Sequence, residues 1–187
     1  MKLMHVLCAV ALISVTAPAF ADDITDAMDA ARKAYQGGDL GGAKQQLDLA
    51  STLIGQKNAE GFAALLPAPL PGWTAEKAQS QAVGAAVFGA SSASRVYTNA
   101  KGDTVDVSIT GDSAMISQLA PALGNPAMAA MMGKIVRVGD QRAIQNNDGD
   151  VMVLVSNKFL VNVTGSGDAA SKLAYAQAVN FAKLTKM

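Results

Sequence analysis

The stretch Leu65-Leu66-Pro67-Ala68-Pro69-Leu70-Pro71-Gly72-Trp73 constrains this chain more than any other feature. Proline fixes φ, lacks an N–H and pushes the preceding residue toward extended backbone, so three prolines in five positions cannot continue a helix. Before this stretch, apolar residues recur at the helical period; after it, they alternate at the strand period. The sequence therefore predicts a stiff, extended connection over 65–72 between a helical part and a β-rich part.

The helical part spans 22–64. Ile24, Ala27, Met28, Ala31, Ala34 and Tyr35 fall on one face of a helix. Gly37-Gly38 can end that helix and Asp39 can cap the next. Leu40, Ala43, Leu47, Ala50 and Ile54 then form a second stripe, which completes a helical hairpin. The run Ala34-Tyr35-Gln36-Gly37-Gly38-Asp39-Leu40 followed by Ala43 resembles the turn region of a tetratricopeptide repeat over residues 24–54. The pattern occurs once, whereas a solenoid needs about three repeats to bury its faces. One helix-turn-helix unit is the expectation.

The second part spans 73–187. Residues 82–94 are rich in Gly, Ala and Ser and fit a loop or a weak strand. Arg95 to Thr98 reads as a strand and 99–103 as a turn, and Val105, Val107 and Ile109 alternate with polar residues. A cap at Asp112 or Ser113 starts a helical stretch carrying Met115, Ile116 and Leu119, which Pro121 should keep short. Asn125-Pro126 restarts a helix, with Asn at the cap and Pro in the first turn. Strands follow at 135–138, 142–145, 151–155 and 159–163, and a final helix carries Leu173, Ala176, Val179 and Leu184. Short turns between neighbouring strands imply mostly antiparallel pairing. The expected class is α+β, with helices on one face of the sheet. The Pro71-Gly72-Trp73 start and this order of elements resemble the PsbP-like exported domains, a likeness of fold that implies no activity.

Residues 1–21 have the layout of a secretory signal: Lys2, an apolar run from Val6 to Val15, and Ala19-Phe20-Ala21 as a cleavage site. The apolar run is shorter than the ~20 residues a spanning helix needs. Export to the periplasm, cleavage after Ala21 and no retained membrane anchor are the expectations. His5 and Cys8, the chain's single histidine and cysteine, lie inside this segment. The 166 residues that remain contain neither, which excludes thiol and imidazole catalysis, disulfides and Cys/His metal sites from the mature chain. Charges are balanced and no basic block exists, so nucleic acid is not an expected partner.

The motifs that remain divide between chemistry and plain structure. Gly165-Ser166-Gly167-Asp168-Ala169-Ala170 matches a dinucleotide-binding fingerprint, but only 17 residues follow it, too few for a second strand, so a capped Gly-rich turn is expected. Asn146-Asn147-Asp148-Gly149-Asp150 has the oxygens of a calcium loop without its spacing, and reads as a hairpin turn. Met128, Met131 and Met132 share a helix face, with Met115 upstream. They suit core packing, an adaptable apolar surface, or Cu(I) through thioethers. Glu60 and Glu76 are the glutamates, and the aspartates fall mostly in turns and caps, so no catalytic pair is visible. The resulting expectation is a non-enzymatic binding or accessory protein without a cofactor. It would meet a periplasmic protein or small apolar ligand through Met128, Met131, Met132 and Tyr35. A carboxylate-dependent hydrolase and a methionine-based Cu(I)-handling protein are the alternatives.

Overall fold

The computed structural model describes residues 23–82, 90–111 and 113–187. The export segment 1–21 and the cap expected at Asp112 lie outside the described residues, as does most of the Gly/Ala/Ser-rich stretch, at 83–89.

Among the described residues two helices come first, α1 (Asp23–Gln36) and α2 (Leu40–Ala63). Gly38 takes a positive φ of 81°, and the Asp39 carboxylate accepts the Gly42 N–H at 2.8 Å to cap α2. Ala27 and Ala31 of α1 are buried, as are Ala43 and Ala50 of α2, so the seam between the helices is made of methyl groups. At 1.5 Å per residue α2 is about 36 Å long. That is enough for its first half to pair with α1 and its second half to lie on the sheet through Ala59 and Phe62.

Among the described residues the sheet has eight strands: β1 (Trp73–Ala75), β2 (Gln79–Ala82), β3 (Ser91–Asn99), β4 (Thr104–Gly111), β5 (Lys134–Val138), β6 (Gln141–Gln145), β7 (Val151–Val155) and β8 (Phe159–Thr164). The order is β1-β3-β4-β8-β7-β6-β5, with β2 also paired to β3, and every pairing is antiparallel. The chain is thus an α+β protein in which a helical pair precedes an antiparallel sheet with helices. β1 and β2 carry no apolar alternation because they are short, largely exposed flanking strands.

Between β4 and β5 the chain must reach the far edge of the sheet. It does so through α3 (Ala114–Gly124) and α4 (Pro126–Met132). Pro121 lies within α3 and does not stop it. Its missing N–H leaves the Ser117 carbonyl, about two turns before the helix ends, without its i+4 donor. The C-terminal helix is divided into α5 (Ala169–Ala178) and α6 (Phe181–Leu184), because Val179 is extended and Asn180 caps a new turn by accepting the Lys183 N–H at 3.0 Å.

One sheet face is the main core. Val105, Val107 and Ile109 of β4 join Val151, Val153 and Val155 of β7 and Val161 and Val163 of β8, all fully or almost fully buried. Phe62 of α2, Tyr175 and Ala176 of α5 and Leu184 of α6 cover them, and Leu66 of the proline segment belongs to the same cluster. The proline segment is bolted down. Its Pro67 carbonyl accepts the Tyr97 hydroxyl at 2.6 Å and Arg95 Nη1 at 3.3 Å, while the Leu70 N–H donates to the Tyr175 hydroxyl at 3.2 Å. Tyr97 and Tyr175 lie against each other with centroids 4.3 Å apart, and Trp73 meets Tyr175 edge-on at 5.5 Å. The prolines limit the conformations the segment loses on docking, and the tyrosines supply the polar partners its carbonyl and amide need.

Two hairpins share one turn. Asn99-Ala100-Lys101-Gly102-Asp103 joins β3 to β4, and Asn146-Asn147-Asp148-Gly149-Asp150 joins β6 to β7. In each the Asn side-chain oxygen accepts the Asp N–H, at 3.0 and 2.8 Å, and the Asn amide donates to the Asp carboxylate, at 2.9 and 3.2 Å. In each the glycine sits at positive φ, 87° and 80°, a conformation that side chains rarely adopt.

Candidate functional site

The two turns differ in what lies above them. Above the second, Lys172 of α5 is 2% exposed, and its ammonium donates to Asp150 Oδ1 at 2.7 Å and to the Asp148 carbonyl at 2.9 Å. Oxygens that could attract a cation already hold a buried ammonium. This segment is a turn that fastens α5 to the sheet.

The glycines of 165–170 likewise have a structural task. The Gly167 N–H donates to the Thr104 carbonyl at 2.8 Å, and Ser166 Oγ accepts the Thr104 N–H at 2.9 Å. A Cβ on Gly167 would come within 2.9 Å of Val105 Cγ2 and 3.2 Å of Trp73. Asp168 caps α5 by accepting the Ser171 N–H at 2.7 Å, and that bond holds its carboxyl below the usual range. A phosphate would find the Gly167 donor engaged and a carboxylate at the helix start.

The candidate surface residues all point outward. Met131 is 89% exposed, and Met128 and Met132 are about half exposed, while the neighbouring Ala129 is the buried contact of α4. Core packing therefore does not account for these methionines. Tyr35 is 67% exposed near the tip of the helical hairpin. It has company that residue spacing explains. Met28 and Tyr35 are seven apart on α1, and Leu40, Leu47 and Ile54 are seven apart on α2. All five are exposed, on the same side of the alanine seam. The opposite side is a groove lined by Asp23, Asp26, Ala30, Gln46, Leu49 and Leu53. A hydrophobic stripe visible in the sequence is thus split. Its small members close the hairpin, and its large members form an open apolar face.

The reverse side of the sheet carries two further features. Leu123 of α3, Ala129 of α4 and Ile144 of β6 form a small second cluster with Met152, Leu154 and Leu160. A cleft of ≈ 200 Å³ opens beside it, lined by Leu123, Ile144, Met152 and Leu154, with Gln141, Arg142 and Asn157 around them. Elsewhere on this side Asp106 stands between Val96 and Thr164 in register, with Oδ1 buried and, among the described residues, without a hydrogen-bond partner. Burial, and then the nearby Glu76, raise its carboxyl above the usual range. Asp106 lines neither this cleft nor the hairpin groove. Among the described residues no group of three or more His, Cys, Asp or Glu side chains is placed to hold a metal ion.

Comparisons with protein-family models, with curated proteins and with solved structures find no match to this chain.

Proposed function

We propose that this is an exported, periplasmic, non-enzymatic binding or accessory protein whose α1–α2 hairpin receives an apolar helical segment of a partner protein. The observation that carries this reading is the open face of Met28, Tyr35, Leu40, Leu47 and Ile54. Five large apolar side chains on two antiparallel helices stand exposed beside a closed seam of buried alanines. A third helix packs on such a face through residues spaced three and four apart. Contiguous exposed apolar surface of this kind marks interaction sites. The methionines of α4 add a second adaptable apolar surface. The signal layout of residues 1–21 supports export.

Site-directed photo-crosslinking tests the proposal. A benzophenone amino acid is placed at position 35, 47 or 101 and irradiated in periplasmic extract. Positions 35 and 47 should yield one shared adduct that Leu40→Glu abolishes, and the exposed turn position 101 should not yield it. Adducts that are equal at all three positions, or none at 35 and 47, would overturn the reading. Turnover by the purified protein on ester, glycoside or phosphate substrates, lost on Asp106→Asn, would instead favour the carboxylate-dependent hydrolase.

A further inference from the structure

We propose that the cleft beside α3 binds a small organic anion with an apolar body, namely a short-chain aliphatic or aryl carboxylate. The proposal is independent of the hairpin reading and rests on three observations.

The first is the shape and lining of the cleft. Ile144, Met152 and Leu154 project from adjacent strands on the reverse side of the sheet, and Leu123 comes from α3. The volume of ≈ 200 Å³ exceeds the ~150 Å³ dry cavity that accepts benzene and lies below the roughly 300–1,000 Å³ of drug-sized sites. The body that fits is a single ring or a short chain.

The second is charge. Arg137 of β5 and Arg142 of β6 are direct cross-strand partners, both exposed on this side of the sheet. Like charges placed opposite each other on an antiparallel pair are destabilising. Among the described residues neither arginine stands in an ion pair. Asp140 of the β5–β6 turn shares the neighbouring depression with both arginines and, among the described residues, also stands in no ion pair. An anion at this position offsets the repulsion.

The third is the unused donor capacity of Arg142. Its side chain lines the cleft, and among the described residues its one side-chain hydrogen bond is a long one, from Nη1 to the Gly124 carbonyl at 3.4 Å. The guanidinium is a fork of five donors that matches a carboxylate in two-point contact. The head group would sit on Arg142, with Gln141 and Asn157 as neutral neighbours and Arg137 adding to the field. The body would cover Met152 and Leu154, which are only half-buried.

Titration followed by NMR tests this. The probes are hexanoate and benzoate, with acetate as a head group lacking a body and hexanamide as a body lacking charge. Hexanoate and benzoate should shift the Met152 methyl and Arg142 Nε resonances along saturable curves. Acetate and hexanamide should bind at least tenfold more weakly. Arg142→Gln should weaken hexanoate at least tenfold and leave hexanamide unchanged, and Arg137→Gln should weaken hexanoate by a smaller factor. Both arginines are exposed, so thermal melts should show both variants folded. Equal hexanoate affinity in wild type and Arg142→Gln overturns the proposal, as do equal affinities for hexanoate and hexanamide or shifts that do not saturate.

Discussion

Removing either partner of the Lys172–Asp150 pair should cost very different amounts. Lys172 is almost wholly buried, and its ammonium has two oxygen partners, one charged. The Asp150 side chain is 29% exposed and keeps the Asn146 amide as a second partner at 3.2 Å. Asp150→Ala leaves a buried cation with one carbonyl, a loss of about 3–5 kcal/mol. Lys172→Met leaves a carboxylate that water and Asn146 still reach, and replaces the stem with a side chain of similar volume. Its cost should be about 1–2 kcal/mol. The double variant strands no buried cation and should cost no more than about 2 kcal/mol, a coupling that a double-mutant cycle reads directly. Urea denaturation gives the four stabilities, and the Asp150→Ala melting temperature should fall by roughly 6–20 °C. An Asp150→Ala cost equal to or below that of Lys172→Met would refute the reasoning, because it would mean that the ammonium reaches solvent without its partner.

Three other perturbations report on separate parts of the fold. In Gly111→Ala the new methyl would meet Phe62 Cζ at 2.6 Å and Phe159 Cδ1 at 2.7 Å, between two rings already packed edge-to-face at 5.7 Å. Urea denaturation should show a loss of about 1–3 kcal/mol. Tyr97→Phe removes the bond to Pro67 and should cost about 1–2 kcal/mol at neutral pH. Burial, the largest cause, pushes the Tyr97 hydroxyl up to about 12 from 10.0. A raised folded pKa stabilises fully below pH 10 and loses that contribution as pH rises through 12, so alkaline unfolding followed by circular dichroism should be less steep in the variant. Tyr175, also raised by burial, should retain part of the slope. For Asp106 the fold favours the protonated acid, so its contribution is present at low pH and lost as pH rises through the raised value. Asp106→Asn should therefore stabilise by about 1 kcal/mol at pH 7, and the gain should vanish below about pH 4. A gain that is the same at both pH values in urea denaturation would contradict this.

Much of the backbone was legible because its determinants are local. The change of period across the proline segment separates the helical pair from the strands, and Asp39, Asn125 and Asp168 cap helices as their positions imply. Asn-x-x-Gly-Asp writes a turn twice because every hydrogen bond it needs lies within five residues. The strands β1 and β2 left no such trace, since flanking strands need no apolar alternation.

The side of each element that meets another was not legible, because it depends on partners distant in sequence. The stripes on α1 and α2 could have been closed by their large residues. The alanines were chosen because methyl groups let two helices approach, and this left Met28, Tyr35, Leu40, Leu47 and Ile54 in the open. Lys172 reads as a surface lysine until α5 is laid over the β6–β7 turn 22 residues upstream and Asp150 receives it. Arg137 and Arg142 become neighbours only through the β5–β6 register, and the cleft beside them exists only where α3 crosses the sheet. Turn, cap and periodicity are short-range chemistry, carried by a few consecutive residues. Burial, charge proximity and cavities are properties of the packed arrangement, and they decide which of this chain's ordinary side chains are available to bind anything.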